Sequence, residues 1–195
     1  RIAIEAPLVR GSFSLRGARL DDVILTGYKE SLDGDSDNIH FLQKTSSDMP
    51  FFVEFGWSSS DANQLMPTAD STWSADRELL APSSPVTLTW KNGQGLTFSR
   101  RISINDDYLF TFEDSVTSTL ASDVTLYPYG LVRRHGTPAT TGMYILHEGP
   151  LGVFDETLTE EDYGDLRDAG ANGIKIIPEK AGGWVGITDL SLIHI

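Results

Sequence analysis

Cysteine is absent from all 195 residues, which excludes disulfides, thiolate metal sites and a cysteine nucleophile. Basic residues are scarce. There are 15 Lys and Arg against 28 Asp and Glu, for a net charge of −13. Phosphate binding needs Lys and Arg to release condensed counterions, so this balance argues against nucleic acid as a partner. It argues equally against docking of the whole surface on anionic lipid. No run approaches the roughly 18 consecutive apolar residues of a membrane span. The start, Arg1-Ile2-Ala3-Ile4-Glu5, offers neither an initiator methionine nor an apolar signal segment. It reads as the interior of a longer chain, with any targeting or anchoring element expected upstream.

What the sequence does have is period-two alternation. Val86, Leu88 and Trp90 share one strand face; Leu96, Phe98, Ile102 and Ile104 share a second; Tyr108, Phe110, Phe112 and Val116 share a third. Asn92-Gly93 between the first two runs supplies the positive φ angles of a tight hairpin turn. Asn105-Asp106-Asp107 is turn chemistry between the second and third. Residues 86–116 therefore read as a three-stranded antiparallel meander. Further strands are expected at 1–5, 8–15, 22–25, 39–43, 51–56, 124–129, 131–135, 144–147, 173–177 and 184–188. Their spacing of about ten residues, with Gly, Pro, Asp and Ser between, is that of a β-sandwich. One helix is expected over 158–167, capped by Thr159 with acidic residues in its first turn. The expected fold class is all-β, mostly antiparallel, in one domain.

Few residues suggest chemistry. Asp33, Asp35 and Asp37 imitate the opening of a calcium loop, but Asn38 replaces its bend glycine and Lys44 its closing glutamate. An acidic surface turn is the better reading. Of His40, His135, His147 and His194, only His147 has an adjacent carboxylate, Glu148, and strand neighbours point to opposite faces. No H-x-H or H-x₃-H spacing suggests zinc, and no G-x-S-x-G elbow suggests a serine nucleophile. Arg100 shares the parity of Phe98 and Ile102, so it points toward the core and should find a carboxylate within the sheet. Anion binding is the sharper alternative for it. Trp57, Trp73, Trp90 and Trp184, with Tyr127 and Tyr129, are candidates for a sugar platform. Trp90 and Trp184 lie in strand patterns and are expected in the core, leaving Trp57 and Trp73 as the freer pair. The acidic crowd Asp155, Glu156, Glu160, Glu161, Asp162, Asp165 and Asp168 reads as a solvated face. No catalytic, cofactor-binding or metal-ligating residue is assigned.

Six segments in register carry a resemblance. They are Gly11-Ser12-Phe13-Ser14-Leu15-Arg16-Gly17-Ala18-Arg19-Leu20-Asp21-Asp22 with Leu25 and Tyr28; Asn92-Gly93-Gln94-Gly95-Leu96-Thr97-Phe98; Asp107-Tyr108-Leu109-Phe110-Thr111-Phe112; Tyr127-Pro128-Tyr129-Gly130; His147-Glu148-Gly149; and Gly182-Gly183-Trp184-Val185-Gly186-Ile187-Thr188-Asp189. Together they resemble the large periplasmic domain of the bacterial membrane protein insertase YidC, in its alphaproteobacterial branch. The resemblance implies a β-supersandwich similar to galactose mutarotases, spanning 1–189 as a single periplasmic domain. It implies a place on the periplasmic face of the inner membrane, tethered through segments outside this sequence. It also implies contacts with Sec translocon components and nascent membrane proteins, without enzymatic activity. The competing reading of the architecture is an aldose-epimerase-like enzyme or carbohydrate-binding module. Epimerase chemistry needs a histidine acid and a carboxylate base around one sugar ring, and no such pair is evident. At the end the sequence departs from the family pattern, reading Leu190-Ser191-Leu192-Ile193-His194-Ile195. The expectation is a domain incomplete at its C-terminus, with 190–195 an atypical tail and a sheet edge left open near 184–188. Such a chain should be prone to aggregation.

Overall fold

The computed structural model describes residues 1–31, 35–138, 147–179 and 182–188. The chain divides into two compact units, Arg1–His135 and Gly136–Ile195. The first holds β1 (Ile2–Glu5), β2 (Val9–Ser14), β3 (Arg19–Lys29), β4 (Asn38–Leu42), β5 (Phe51–Ser59), β6 (Ser74–Ala75), β7 (Leu79–Leu80), β8 (Val86–Lys91), β9 (Leu96–Ile104), β10 (Phe110–Ser118) and β11 (Leu126–Arg134). The second holds β12 (Gly149–Phe154), β13 (Thr157–Glu160), α1 (Tyr163–Ala169), a 3₁₀ turn at Gly170–Asn172, and β14 (Trp184–Thr188).

In the first unit a seven-stranded sheet runs β11-β5-β3-β2-β1-β7, with β4 also on β3, and a four-stranded sheet runs β10-β9-β8-β6. All pairings are antiparallel except the short β1–β7 pair. The two sheets meet through rings. Phe55 of β5 lies 4.6 Å from Phe112 of β10, and Trp57 of β5 lies 5.1 Å from Phe98 of β9, centroid to centroid. Around these rings sits a core of Ile2, Ile4, Val9, Phe13, Leu20, Val23 and Leu25 from the larger sheet. Val86, Leu88, Leu96, Ile102 and Ile104 complete it from the smaller one. Alternation places them there, since residues two apart share a strand face.

The meander at 86–116 is present as β8, β9 and β10. Its first turn differs in detail from the expected tight turn. The Asn92 N–H donates to the Leu96 carbonyl at 3.1 Å, so the loop is Gly93-Gln94-Gly95, and the positive φ angles fall at Gly93 (72°) and Gly95 (100°). The Asn92 side chain instead accepts from the N–H groups of Gln94 and Leu96, at 2.8 and 2.9 Å. Tyr108 is not in the third strand; it sits in the turn at φ 73°.

Other strands are longer than the sequence suggests. The expected strand at 22–25 extends to Arg19–Lys29, because the polar residues that read as its end are paired. Asp21 is 1% exposed and salt-bridged to Arg1. Asp22 accepts from the Ser12 hydroxyl at 2.6 Å and faces Lys44 at 3.2 Å. The two strands expected at 124–129 and 131–135 are one, β11, running straight through Gly130.

The second unit departs further. Its three-stranded sheet runs β13-β12-β14. Residues 158–160, expected as the helix start, belong to strand β13, joined to β12 by Asp155 and Glu156 at φ 52° and 68°. Two successive positive φ angles are the geometry of a type I′ hairpin, usually signalled by Asn-Gly; Asp-Glu conceals it. The helix lies later, at Tyr163–Ala169. Its cap is Asp162 rather than Thr159, with the carboxylate accepting from the Asp165 N–H at 2.9 Å. Residues 173–177, expected as a strand, have no strand partner among the described residues and leave Ile174, Ile176 and Ile177 exposed. Residues 144–146 of another expected strand, Asp33, Asp189, His194 and the 190–195 tail lie outside the described residues.

Candidate functional site

The most unusual chemistry in the molecule is a charge between the two sheets. Arg100 of β9 is fully buried at 0% exposure. Its register partner on β10 is Asp114, and the two form a bidentate pair. Nε donates to Oδ1 at 2.7 Å, and Nη2 donates to Oδ2 at 2.9 Å. Such a fork is the strongest geometry open to an arginine. The guanidinium carbon lies 5.1 Å from the Trp57 ring and 5.6 Å from those of Phe55 and Trp73. The aromatic faces thus supply negative potential on the sides the carboxylate leaves uncovered. One donor, Nη1, is buried without a hydrogen-bond partner among the described residues. Sequence parity places Arg100 inward and in need of a carboxylate, and the structure supplies that ion pair within the sheet. It does not select Asp114 in advance, because that requires the β9–β10 register.

A second arginine is built alike on the opposite side of the larger sheet. Arg19 donates through Nε and Nη2 to the Glu54 Oε2, at 2.9 and 2.6 Å, with its guanidinium 4.5 Å over the Phe52 ring. No motif marks this cluster, as its members are 35 residues apart in the chain.

The tryptophans reverse the expected order. Trp57 and Trp73 are core residues, 6% and 3% exposed and stacked at 6.2 Å. β5 continues past Gly56 through the serines, and the Trp73 N–H is held by the Leu15 carbonyl at 2.9 Å. Trp90 is half-buried against Phe98. Trp184 opens an outer strand of the small sheet and is 52% exposed. The expected buried strand at 184–188 is therefore a strand, but its first two side chains face solvent. Tyr127 and Tyr129 are the surface aromatics of the first unit's β11, with Tyr129 lying across Gly56 of β5. A Cβ on Gly56 would meet the Tyr129 hydroxyl at 2.5 Å.

Acid–base candidates do not converge. His40 on β4 and His135, just past the end of β11, are both exposed. The His147 Nε2–H donates to the Pro150 carbonyl at 3.0 Å, not to Glu148. Among the described residues no three His, Cys, Asp or Glu side chains form a metal-binding group. No described helix is long and apolar enough to cross a membrane. Two groups have perturbed titration. Burial pushes the Asp76 carboxyl up, but the Thr87 N–H, Arg77 and its own backbone N–H more than offset this and hold it below its ordinary value. Tyr108 is pushed up by desolvation, by its hydrogen bond to Tyr28 and by the charges of Tyr28 and Asp107.

Comparison with known proteins supplies the family. A family model described as the YidC periplasmic domain matches residues 1–190. The membrane protein insertase YidC of Methylorubrum extorquens is 46% identical, covering 97% of this chain and 32% of the relative. That of Granulibacter bethesdensis is 42% identical, covering 97% and 33%. That of Nitrobacter hamburgensis is 41% identical, covering 97% and 31%. The chain thus spans about a third of the length of the curated relatives it matches. With a match along nearly its whole length, the chain belongs to the YidC periplasmic domain family.

Proposed function

We propose that this chain serves as a non-enzymatic interaction domain of a membrane protein insertase, assisting the insertion and folding of inner-membrane proteins without forming the insertion-active part. Its family places it at the periplasmic side of the inner membrane. The observation that carries the reading is the family match over residues 1–190. Its partners on this reading are Sec translocon components and nascent membrane proteins. On this reading residues 1–189 count as one periplasmic domain of β-supersandwich architecture, tethered through segments of the longer protein, with 190–195 as a tail.

The test is replacement of residues 1–189 by an unrelated β domain within a full-length insertase. Insertion of a simple membrane substrate should persist, while periplasmic cross-links to translocon components should disappear. Loss of insertion itself, or cross-links that survive the replacement, would sink the proposal. A proton NMR assay of aldose mutarotation gives a second arm: any acceleration dependent on the chain contradicts it.

A further inference from the structure

We propose that Asn172 of this chain is a site of spontaneous deamidation, converted by solvent water to a mixture of aspartate and isoaspartate. The identical Asn-Gly pair at Asn92 is locked against the same reaction.

Of the five asparagines, Asn38, Asn63, Asn92, Asn105 and Asn172, only Asn92 and Asn172 precede glycine. The following residue matters because its backbone nitrogen is the nucleophile, and a residue without Cβ lets that nitrogen approach the side chain. The Gly173 nitrogen gives up its proton to solvent base and attacks the Asn172 Cγ. A nitrogen–carbon bond forms, the bond from Cγ to Nδ2 breaks, and Nδ2 leaves as ammonia with a solvent proton. The product is a cyclic succinimide. Water opens it at Cγ to give aspartate, or at the backbone carbonyl to give isoaspartate, whose main chain runs through the former side chain. One water is consumed and one ammonia released, with no change of oxidation state.

The same dipeptide stands in two settings. A Cβ on either glycine would meet nothing within 4 Å, so crowding at the glycine does not separate them. The asparagine does. Asn92 is 7% exposed. Its Oδ1 accepts from the Gln94 and Leu96 N–H groups at 2.8 and 2.9 Å, and its Nδ2 donates to the Leu65 carbonyl at 3.2 Å. Turning Cγ onto the Gly93 nitrogen would break these bonds and strand the groups that made them.

Asn172 ends the 3₁₀ turn Gly170–Asn172, and neither that turn nor α1 before it buries a residue. Asn172 is exposed, and among the described residues its side chain has no hydrogen bond. The attacking Gly173 N–H is held by the Gly170 carbonyl at 3.2 Å, and bonds of this kind are poorly aligned. A turn with so little to hold it opens at small cost. Opening frees the Gly173 nitrogen and lets the backbone leave the helical range. The new carboxylate then stands at the C-terminal end of the helical stretch, where the backbone dipole disfavours negative charge, so conversion weakens the turn further.

The test incubates the folded 195-residue chain in neutral buffer and follows peptide mass, ammonia release and isoaspartate content. Position 172 should convert faster than position 92 by about tenfold or more. Its rate should climb as pH is raised, since the attacking nitrogen must lose its proton. In urea, conversion at position 92 should rise to match that at 172, because only the dipeptide then remains. Asn172→Gln, which enlarges the ring that must close, should remove most of the ammonia released by the folded chain and leave its melting temperature unchanged. Equal rates at the two positions in the folded chain would overturn the assignment. So would a position 172 that converts only in urea, or ammonia release undiminished in the Asn172→Gln variant.

Discussion

At the scale of single residues, the buried charge between the sheets is held by an asymmetric pair. The Arg100 side chain is 0% exposed, whereas that of Asp114 is 23% exposed. Removing the carboxylate strands a guanidinium that cannot reach water. Removing the guanidinium leaves an aspartate that rehydrates. Asp114→Ala is therefore expected to cost about 3–5 kcal/mol, and Arg100→Met, which keeps the stem's packing, markedly less. Urea denaturation of the two variants checks the order, and the reverse order would refute the argument. Asp76 gives a pH-dependent expectation. Its folded value lies below the ordinary 3.8, so its contribution to stability is present above that value and is lost as pH falls through the folded one. The difference in stability between the wild type and Asp76→Asn should accordingly narrow as pH is lowered from about 5. A constant difference across that range would show that the carboxylate's hydrogen bonds do not favour its charged form.

At the scale of elements, β5 and β11 show how two glycines become part of a strand instead of interrupting it. Gly56 is opposite Tyr129 and Gly130 is opposite Phe55, in adjacent register positions on opposite faces of the pair. Each ring covers its glycine: a Cβ on Gly130 would meet the Phe55 ring at 3.2 Å. Cross-strand aromatic cover of this kind compensates the side chain that glycine lacks. Gly130→Ala should press Phe55 toward Phe112, 4.6 Å away, and cost about 1–3 kcal/mol by overpacking. Thermal melting monitored by near-UV dichroism reads both the stability and the ring environment, and an unchanged spectrum would argue against the contact. The charge pairs act on register. Arg100–Asp114 points inward and Arg101–Glu113 outward at successive positions. A one-residue slip would exchange the faces and bury the exposed charges.

At the scale of the whole molecule, a net charge of −13 on 195 residues means long-range self-repulsion that surface pairing only partly relieves. Raising ionic strength from about 0.01 to about 0.15 M shortens the Debye length from roughly 30 to 8 Å. The melting temperature should rise over that range in scanning calorimetry; a fall would indicate that attractive pairs such as Arg16–Asp70 dominate. Leu158, Trp184 and Val185 are each more than half exposed on the small sheet of the second unit. None of the buried hydrophobic residues belongs to that unit's described part.

Alternation along the chain was enough to determine the meander at 86–116, the inward face of Arg100 and the all-β character. Each depends on local geometry, because a strand turns its side chains over every second residue. The order of the family segments was equally legible without coordinates. Tertiary structure decided what period two leaves open, namely which strand lies next to which. Pairing made Asp114 the partner of Arg100, carried β11 through Gly130, and put Trp57 and Trp73 inside while Trp184 faces solvent. It also left 173–177 without a strand to join among the described residues, despite an alternating pattern. The reason is that a strand's faces follow from its own residues, whereas its edges and burial follow from neighbours distant in sequence.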